Sequence, residues 1–244
     1  MLKRLRRTAG RPTGLPTVLL ATAALTAGLV AGCSSSKDSG TATADLPDAT
    51  TLLDQAHTTT AALTSVHLEL SVNGEIEALP IKTLSGDLTA KPQTAAKGKA
   101  TIVAFGQEVD ADFVVLDGTL YASMSGKRWS DWGSAADIYD PSMILNPDTG
   151  LANVLANFTD AKSEKHETIN GVDTVQVTGE VSADAVNKLA PQLDATAPMP
   201  ATAWIQADDP HQLVQAQLEP SSGNTVQMTL SDWDAPVTVE KPAV

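Results

Sequence analysis

The stretch VDADFVVLDGTLYAS at residues 109–123 decides the fold class of this chain. Alternate positions in its first half carry apolar side chains, which is the period of a half-buried β-strand. These apolar positions are Val109, Ala111, Phe113 and Val115. Asp117-Gly118 follows, and this dipeptide favours a two-residue hairpin turn between alternating runs. Because residues 119–123 resume the strand pattern, the stretch predicts two antiparallel strands joined by a tight turn.

The same alternation extends upstream of this hairpin. Residues 66–72 predict one strand, with His67 on its polar face, where we expect a solvated side chain. Residues 83–90 predict a second strand and residues 99–105 a third. One face of the third strand holds Ala100, Ile102 and Ala104. Strands at such short intervals predict an antiparallel meander.

Other segments have helical spacing. Residues 46–63 predict a helix with Asp48 near its start, and residues 141–145 and 150–158 predict two more. The apolar stripe of the last segment contains Leu151, Val154 and Leu155. Ser182 is expected to cap a further short helix. The remaining strands are predicted at residues 172–181, 203–206, 212–218 and 225–230, with a candidate edge strand at residues 237–239.

This order of elements predicts an α+β fold, in which one large antiparallel sheet carries the helices on one face. If the sheet is strongly curved, helices against its concave side leave an apolar space between the two layers. Aromatic residues make up only 4% of the chain, although hydrophobic residues make up 42%. A core of small aliphatic side chains is compatible with such a space and equally with a compact interior.

The N-terminus predicts export. Five basic residues precede an uncharged apolar stretch at residues 15–30, which is typical of a signal peptide. The stretch ends in Val30-Ala31-Gly32-Cys33, a lipobox, so Cys33 is expected to carry a diacylglyceryl anchor. We therefore predict a removed signal at residues 1–32, a lipidated cysteine and flexible tether at residues 33–45, and one domain at residues 46–244.

The charge balance bears on possible partners. Without residues 1–32 the chain keeps 11 Lys and Arg against 29 Asp and Glu, a formal charge of about −18. Such a surface repels nucleic acid and anionic headgroups, so the predicted membrane contact is through the lipid on Cys33. Since Cys33 is the sole cysteine, the domain has no disulfide option.

No motif for catalysis or metal binding is evident, so neither an enzyme nor a cofactor is expected. Asp148-Thr149-Gly150 matches the short aspartic-protease signature, but it occurs once and does not follow an apolar strand. We interpret Asp148 or Thr149 as the N-cap of the next helix. Trp129 and Trp132 are placed in a loop, where they would form a binding lip or, as the favoured alternative, cover the core.

Several stretches resemble the LppX/LprA/LprF/LprG family of mycobacterial lipoproteins. They are KTLSGDL (82–88), DADFVVLDGTLYA (110–122), SDWGSAADIYDP (130–141), LNPDTGLANVLANF (145–158) and QMTLSDW (227–233). The resemblance runs from the lipobox to the C-terminus. It implies a half-barrel antiparallel sheet with helices on the concave face enclosing a large apolar cavity, as in the LolA/LolB carriers.

The resemblance also implies a function. Family members are expected to bind acylated envelope lipids, namely phosphatidylinositol mannosides, lipomannan, lipoarabinomannan and triacylglycerol, and to move them outward with a major-facilitator efflux pump. We expect a monomer on the outer face of the cytoplasmic membrane. The alternative is an adaptor that scaffolds a transporter and carries no cargo. The expected cavity lining is Ala100, Ile102, Ala104, Val109, Ala111, Phe113, Val115, Leu151, Val154 and Leu155.

Overall fold

The computed structural model describes residues 46–104, 106–138 and 142–244. Cys33, the signal and the tether lie outside these residues. The helices are α1 (Ala49–Ala62), α2 (Ser142–Leu145), α3 (Leu151–Ala156) and α4 (Ala183–Leu189). The strands are β1 (Ser65–Asn73), β2 (Ile81–Thr89), β3 (Ala95–Ala104), β4 (Gln107–Leu116), β5 (Thr119–Met124), β6 (Ser130–Ser134), β7 (Phe158–Ile169), β8 (Val172–Val181), β9 (Met199–Gln206), β10 (Leu213–Ser221) and β11 (Asn224–Ser231).

All these strands form one open antiparallel sheet in the order β6-β5-β4-β3-β2-β1-β11-β10-β9-β8-β7. Two meanders, β1 to β6 and β7 to β11, are joined where the first strand pairs with the last, from His67 opposite Ser231 to Asn73 opposite Thr225. The predicted hairpin is present, with Leu116 opposite Thr119 across Asp117-Gly118. The predicted α+β class and antiparallel sheet are therefore confirmed.

The open sheet is a half-barrel with the helices on its concave face. Val115 of β4 and Val181 of β8 belong to one buried cluster with Leu53 of α1 and Leu155 of α3. These two strands are seven positions apart in the sheet, so a single core extends over most of its width on the side that carries the helices.

Helix α1 begins as its sequence predicts. The Asp48 carboxylate accepts hydrogen bonds from the backbone N–H and the hydroxyl of Thr51, both at 2.9 Å. These bonds, the backbone one first, hold the pKa of Asp48 below its ordinary value. His57 of the same helix lies with Nδ1 2.9 Å from the carbonyl oxygen of Ala152, which ties α1 to α3. Ser182 likewise caps α4, where its hydroxyl accepts from the N–H of Ala185.

The predicted cap of α3 is wrong. Its N-cap is Gly150, without a side-chain capping bond, and the Asp148 backbone N–H instead donates to the Asn146 side chain at 2.9 Å. A Cβ on Gly150 would overlap the carbonyl oxygens of Met143 and Ile144. The glycine of the Asp-Thr-Gly triplet is therefore required by close packing of the chain against α2.

The C-terminal segment does not form the predicted edge strand at residues 237–239. Residues 232–244 contain no regular strand, and we call them the C-terminal strap. Between Ala235 and Lys241 the strap lies against the convex face of the first meander. The Lys97 ammonium donates to the Thr238 carbonyl at 2.9 Å, and the Lys241 ammonium lies 5.1 Å from the Tyr121 ring centre. The strap also contacts two buried side chains of the convex face, since the Ser65 hydroxyl donates to the Ala235 carbonyl at 2.6 Å and Tyr121 lies beneath Lys241.

Two strands depart from the sequence interpretation. Residues 130–134, expected in a loop, form the edge strand β6, and Trp132 is 47% exposed, so the favoured core role is wrong for this side chain. The other edge strand, β7, was not predicted, since FTDAKSEKHETI has no apolar alternation. Among the residues described, no helix is long and apolar enough to cross a membrane.

Candidate functional site

A small apolar space separates α3 from the strands beneath it. Its volume is about 20 Å³, close to that of one water molecule. Three of the predicted lining residues, Leu151, Val154 and Leu155, project into it from α3. Its remaining lining comes from Phe158, Leu189, Ala201, Thr202, Ala203, Leu213, Ala216, Gln217, Leu218, Val226 and Met228. Helix α3 therefore packs closely against the strands of the second meander.

The concave face continues past this space onto the first meander, where many of its side chains are only half-buried. Strand alternation and register place a set of apolar side chains on the same face as the buried Leu68 and Val115. Its half-buried members are Leu70, Leu84, Ala100, Ile102, Ala104, Val109, Phe113, Leu120 and Met124. An apolar surface with this degree of exposure is suited to a further apolar group.

The predicted lining residues thus fall into separate places. Val115 is buried in the core cluster. Ile102, Ala104 and Val109 lie half-buried on the concave face near the ends of β3 and β4. Ala100 and Ala111 have the same strand parity as these residues, and they also border a groove on the opposite side of the sheet, where the backbone forms its floor.

Phe113 lies beside two glycines of the first meander. Gly86 and Gly98 are opposite each other on β2 and β3, and Phe113 is opposite Gly98 on β4. A Cβ on Gly98 would lie 3.0 Å from the Phe113 ring, and one on Gly86 would lie 3.2 Å from it. The ring therefore covers both glycines, and neither position tolerates a side chain.

An open groove of about 810 Å³ lies on the convex face. Its polar lining follows two complete cross-strand rows. One row is Thr229, Glu69, Ser85, Lys99 and Asp112; the other is Gln227, Ser71, Thr83, Thr101 and Asp110. Ser125 and Gly126 close one end. The groove is not evident from the sequence, because only the strand register brings these polar positions together.

The lowered pKa of Glu167 has a structural cause and does not indicate a catalytic role. The indole N–H of Trp204 donates to Glu167 at 2.8 Å and, together with Lys165, lowers the pKa of that carboxyl. His67 is on the convex face as expected, and its Nδ1 lies 2.7 Å from Asp87. Within residues 46–104, 106–138 and 142–244, no three His, Cys, Asp or Glu side chains gather as a metal site would require.

The sequence of this chain is similar to those of proteins named as lipoarabinomannan carriers. The lipoarabinomannan carrier protein LprG of Mycobacterium leprae is 58% identical over 213 residues, which cover 87% of this chain and 89% of that protein. The protein of the same name from Mycolicibacterium smegmatis is 56% identical over 213 residues, covering 86% and 89% of the two chains.

Solved structures agree with the observed fold. LprF from Mycobacterium bovis superposes with a TM-score of 0.73 at 31% identity, covering 80% of this chain and 97% of that one. LppX from Mycobacterium tuberculosis gives a TM-score of 0.62 at 30% identity, covering 78% and 97%. Residues 48–239 also match the family described as LppX_LprAFG lipoprotein. This match spans the curved sheet and its helices, and the chain therefore belongs to the LppX_LprAFG lipoprotein family.

Proposed function

We propose that this protein is a glycolipid carrier whose apolar concave face takes up acyl chains while the sugar headgroup stays outside that apolar surface. The proposal is carried by the half-buried apolar surface of the first meander, which adjoins the closed apolar space under α3. It is supported by relatives at 56–58% identity that are named as lipoarabinomannan carriers.

The energetics require a surface of this kind. An acyl methylene exposed to water costs about 0.8 kcal/mol, so a chain of ~16 carbons costs roughly 12 kcal/mol. A carrier has to offset most of that penalty by burial and still release its cargo. Concave-face positions such as Ile102, Val109 and Phe113 provide aliphatic and aromatic contacts without charge.

Cargo uptake requires the helical layer to move. An acyl chain is far larger than the 20 Å³ space, so α3 must separate from β9, β10 and β11 when lipid enters. The wall contributed by α3 is Leu151, Val154 and Leu155. Because the helix is only six residues long, its displacement disturbs few hydrogen bonds.

The proposal extends to cargo, anchor and partner. The cargoes are phosphatidylinositol mannosides, lipomannan, lipoarabinomannan and triacylglycerol, carried without a catalytic step and by a monomer. The lipid on Cys33 holds the carrier at the outer face of the cytoplasmic membrane, and a major-facilitator efflux pump acts with it in export.

Lipid extraction of the full-length protein tests this function. The protein is purified from its own membranes, extracted with organic solvent, and the extract is analysed by mass spectrometry. We expect acylated, mannose-containing lipid in a ratio near one per protein, beyond the lipid attached to Cys33. Protein that contains no such lipid and that takes up none from vesicles would instead support an adaptor without cargo.

A further inference from the structure

The convex groove differs in chemistry from the concave face. Its volume of about 810 Å³ falls within the roughly 300–1,000 Å³ typical of ligand sites. Strand alternation places Glu69, Lys99 and Asp112 on the side opposite the buried core, and the backbone between them forms the floor. The groove therefore suits a polar ligand and not an acyl chain.

Dimensions favour an extended ligand that crosses the strands. Each row runs over five strands, from β11 to β4, which is about 19 Å at the usual strand spacing. The rows are two residues apart along each strand, or about 7 Å. A long and narrow floor of this size matches a linear chain better than a compact metabolite.

Most groups in the groove are available for hydrogen bonding. Within the described part of the chain, seven of the polar lining side chains have no side-chain hydrogen bond or ion pair: Glu69, Ser71, Thr83, Lys99, Asp112, Ser125 and Gln227. By contrast, the Thr101 hydroxyl donates to Asp110 at 2.9 Å. Carboxylate, hydroxyl, amide and ammonium groups together offer donors and acceptors to vicinal hydroxyls.

The charge of the groove restricts the ligand further. Three carboxylates, Glu69, Asp110 and Asp112, face a single ammonium, Lys99, among the residues that line it. This balance disfavours phosphate groups and other anions. Carboxylates accept strong charge-assisted hydrogen bonds from neutral hydroxyls. From this combination we infer that the convex groove binds a neutral polyhydroxylated chain, the glycan portion of the carried glycolipid.

This inference rests on the proposed function and adds a second binding site to it. Acyl chains are held on the concave face and the glycan on the convex face, so one glycolipid molecule passes around an edge of the sheet. The groove would then distinguish lipids with long glycans from those with short headgroups. The acyl site alone would not make this distinction.

Deacylated lipoarabinomannan is the test ligand, and its binding to the full-length protein is measured by calorimetry in a detergent without a sugar headgroup. We expect saturable binding by the unaltered protein. Thr83→Trp fills the centre of the groove and should weaken binding by about tenfold or more. Thr168→Trp is the matched control, because Thr168 is also an exposed strand threonine and lies on β7, outside the groove; it should bind as the unaltered protein does.

A second variant tests the groove without adding a bulky side chain, in case Thr83→Trp does not fold. The double variant Glu69→Ala with Asp112→Ala removes carboxylates that have no internal partner, so the melting temperature should stay unchanged while glycan affinity falls.

Retention of acylated phosphatidylinositol is measured in parallel, as a readout of the concave site alone. If acyl lipid is retained but the deacylated glycan does not bind, or if Thr83→Trp and Thr168→Trp bind equally, the inference is wrong and the carrier function stands. Loss of acyl-lipid binding by the unaltered protein would contradict the carrier function itself.

Discussion

Gly150 occupies the N-cap position that the sequence pattern assigned to Asp148 or Thr149, and the reason is close packing. Residues before a helix usually act through a side-chain cap, which made Asp148 or Thr149 the natural choice. The structure instead brings the α2 carbonyls so close that position 150 has no room for a Cβ. Spatial exclusion of this kind depends on where α2 turns back, and the local sequence does not reveal it.

Gly150→Ala is therefore expected to destabilise the protein. Displacing the backbone of α2 should cost about 1–3 kcal/mol, which for a domain of this size lowers the melting temperature by several degrees. Asp148→Ala is the control, because its exposed side chain has no described partner, and it should change stability by less than about 0.5 kcal/mol. Thermal unfolding followed by circular dichroism compares the two. Equal effects would mean that the triplet acts through its carboxylate.

Ile102→Trp tests the concave face at a single residue. Its half-buried side chain has space beside it, so an indole should fit and fill the volume meant for an acyl chain. We expect lipid binding to fall about tenfold while the melting temperature changes little. In a closed core the same replacement would cost about 1–3 kcal/mol.

Val103→Trp on the same strand, which points to the opposite face, serves as the control for Ile102→Trp and should retain lipid binding. Lipid titration and thermal unfolding are measured for both variants. A large loss of stability for Ile102→Trp, without a specific loss of lipid, would show that this face is packed core.

At the scale of elements, prediction succeeded where burial imposes a period. β4, β5 and β8 each direct one face of alternating apolar side chains toward the core, and their bounds lie close to those expected from alternation. β7 pairs on one side only and is mostly exposed, so its sequence carries no such period. The two rows of the groove were missed for a related reason, since solvent-facing residues reveal their neighbours only through strand register.

The cap of α1 predicts a dependence on pH. Hydrogen bonds from Thr51 lower the pKa of Asp48, so its stabilising effect is present above the ordinary carboxyl pKa and is lost as pH falls through the lowered value. Asp48→Ala should therefore lower the melting temperature at neutral pH and have no effect in strong acid. Melting curves of both proteins from about pH 7 to about pH 2 test this. A difference that persists at the acid end would exclude the carboxylate as its cause.

The C-terminal strap should stabilise the first meander. Removing residues 236–244 deletes the strap contacts with Lys97 and with the buried Tyr121, and the loss of apolar burial around that ring should cost about 1–2 kcal/mol. Removing only residues 242–244 is the control and should change little, since Val244 is 60% exposed. Hydrogen exchange should report faster opening of β3, β4 and β5 in the longer truncation. Unchanged exchange there would show that the strap covers the sheet without stabilising it.

At the scale of the whole molecule, the two faces of one sheet have separate roles. The concave face combines a helical layer with an apolar surface, and the convex face combines the strap with a polar groove. Sequence alternation was sufficient to separate the faces. It was not sufficient to show that the space under α3 is closed to about 20 Å³, because that depends on how far the helices approach the sheet.

Photo-crosslinking tests the central claim that acyl chains enter between the helices and the concave face. Phosphatidylinositol with a diazirine at the end of one acyl chain is loaded onto the full-length protein, irradiated, and the labelled residues are mapped by mass spectrometry. The account predicts labels on α3, at Leu151 or Leu155, and on the concave side of β3 and β4, at Ile102 or Phe113. Labels concentrated on convex-face residues such as Thr83 or Thr101, or spread evenly over the surface, would contradict it.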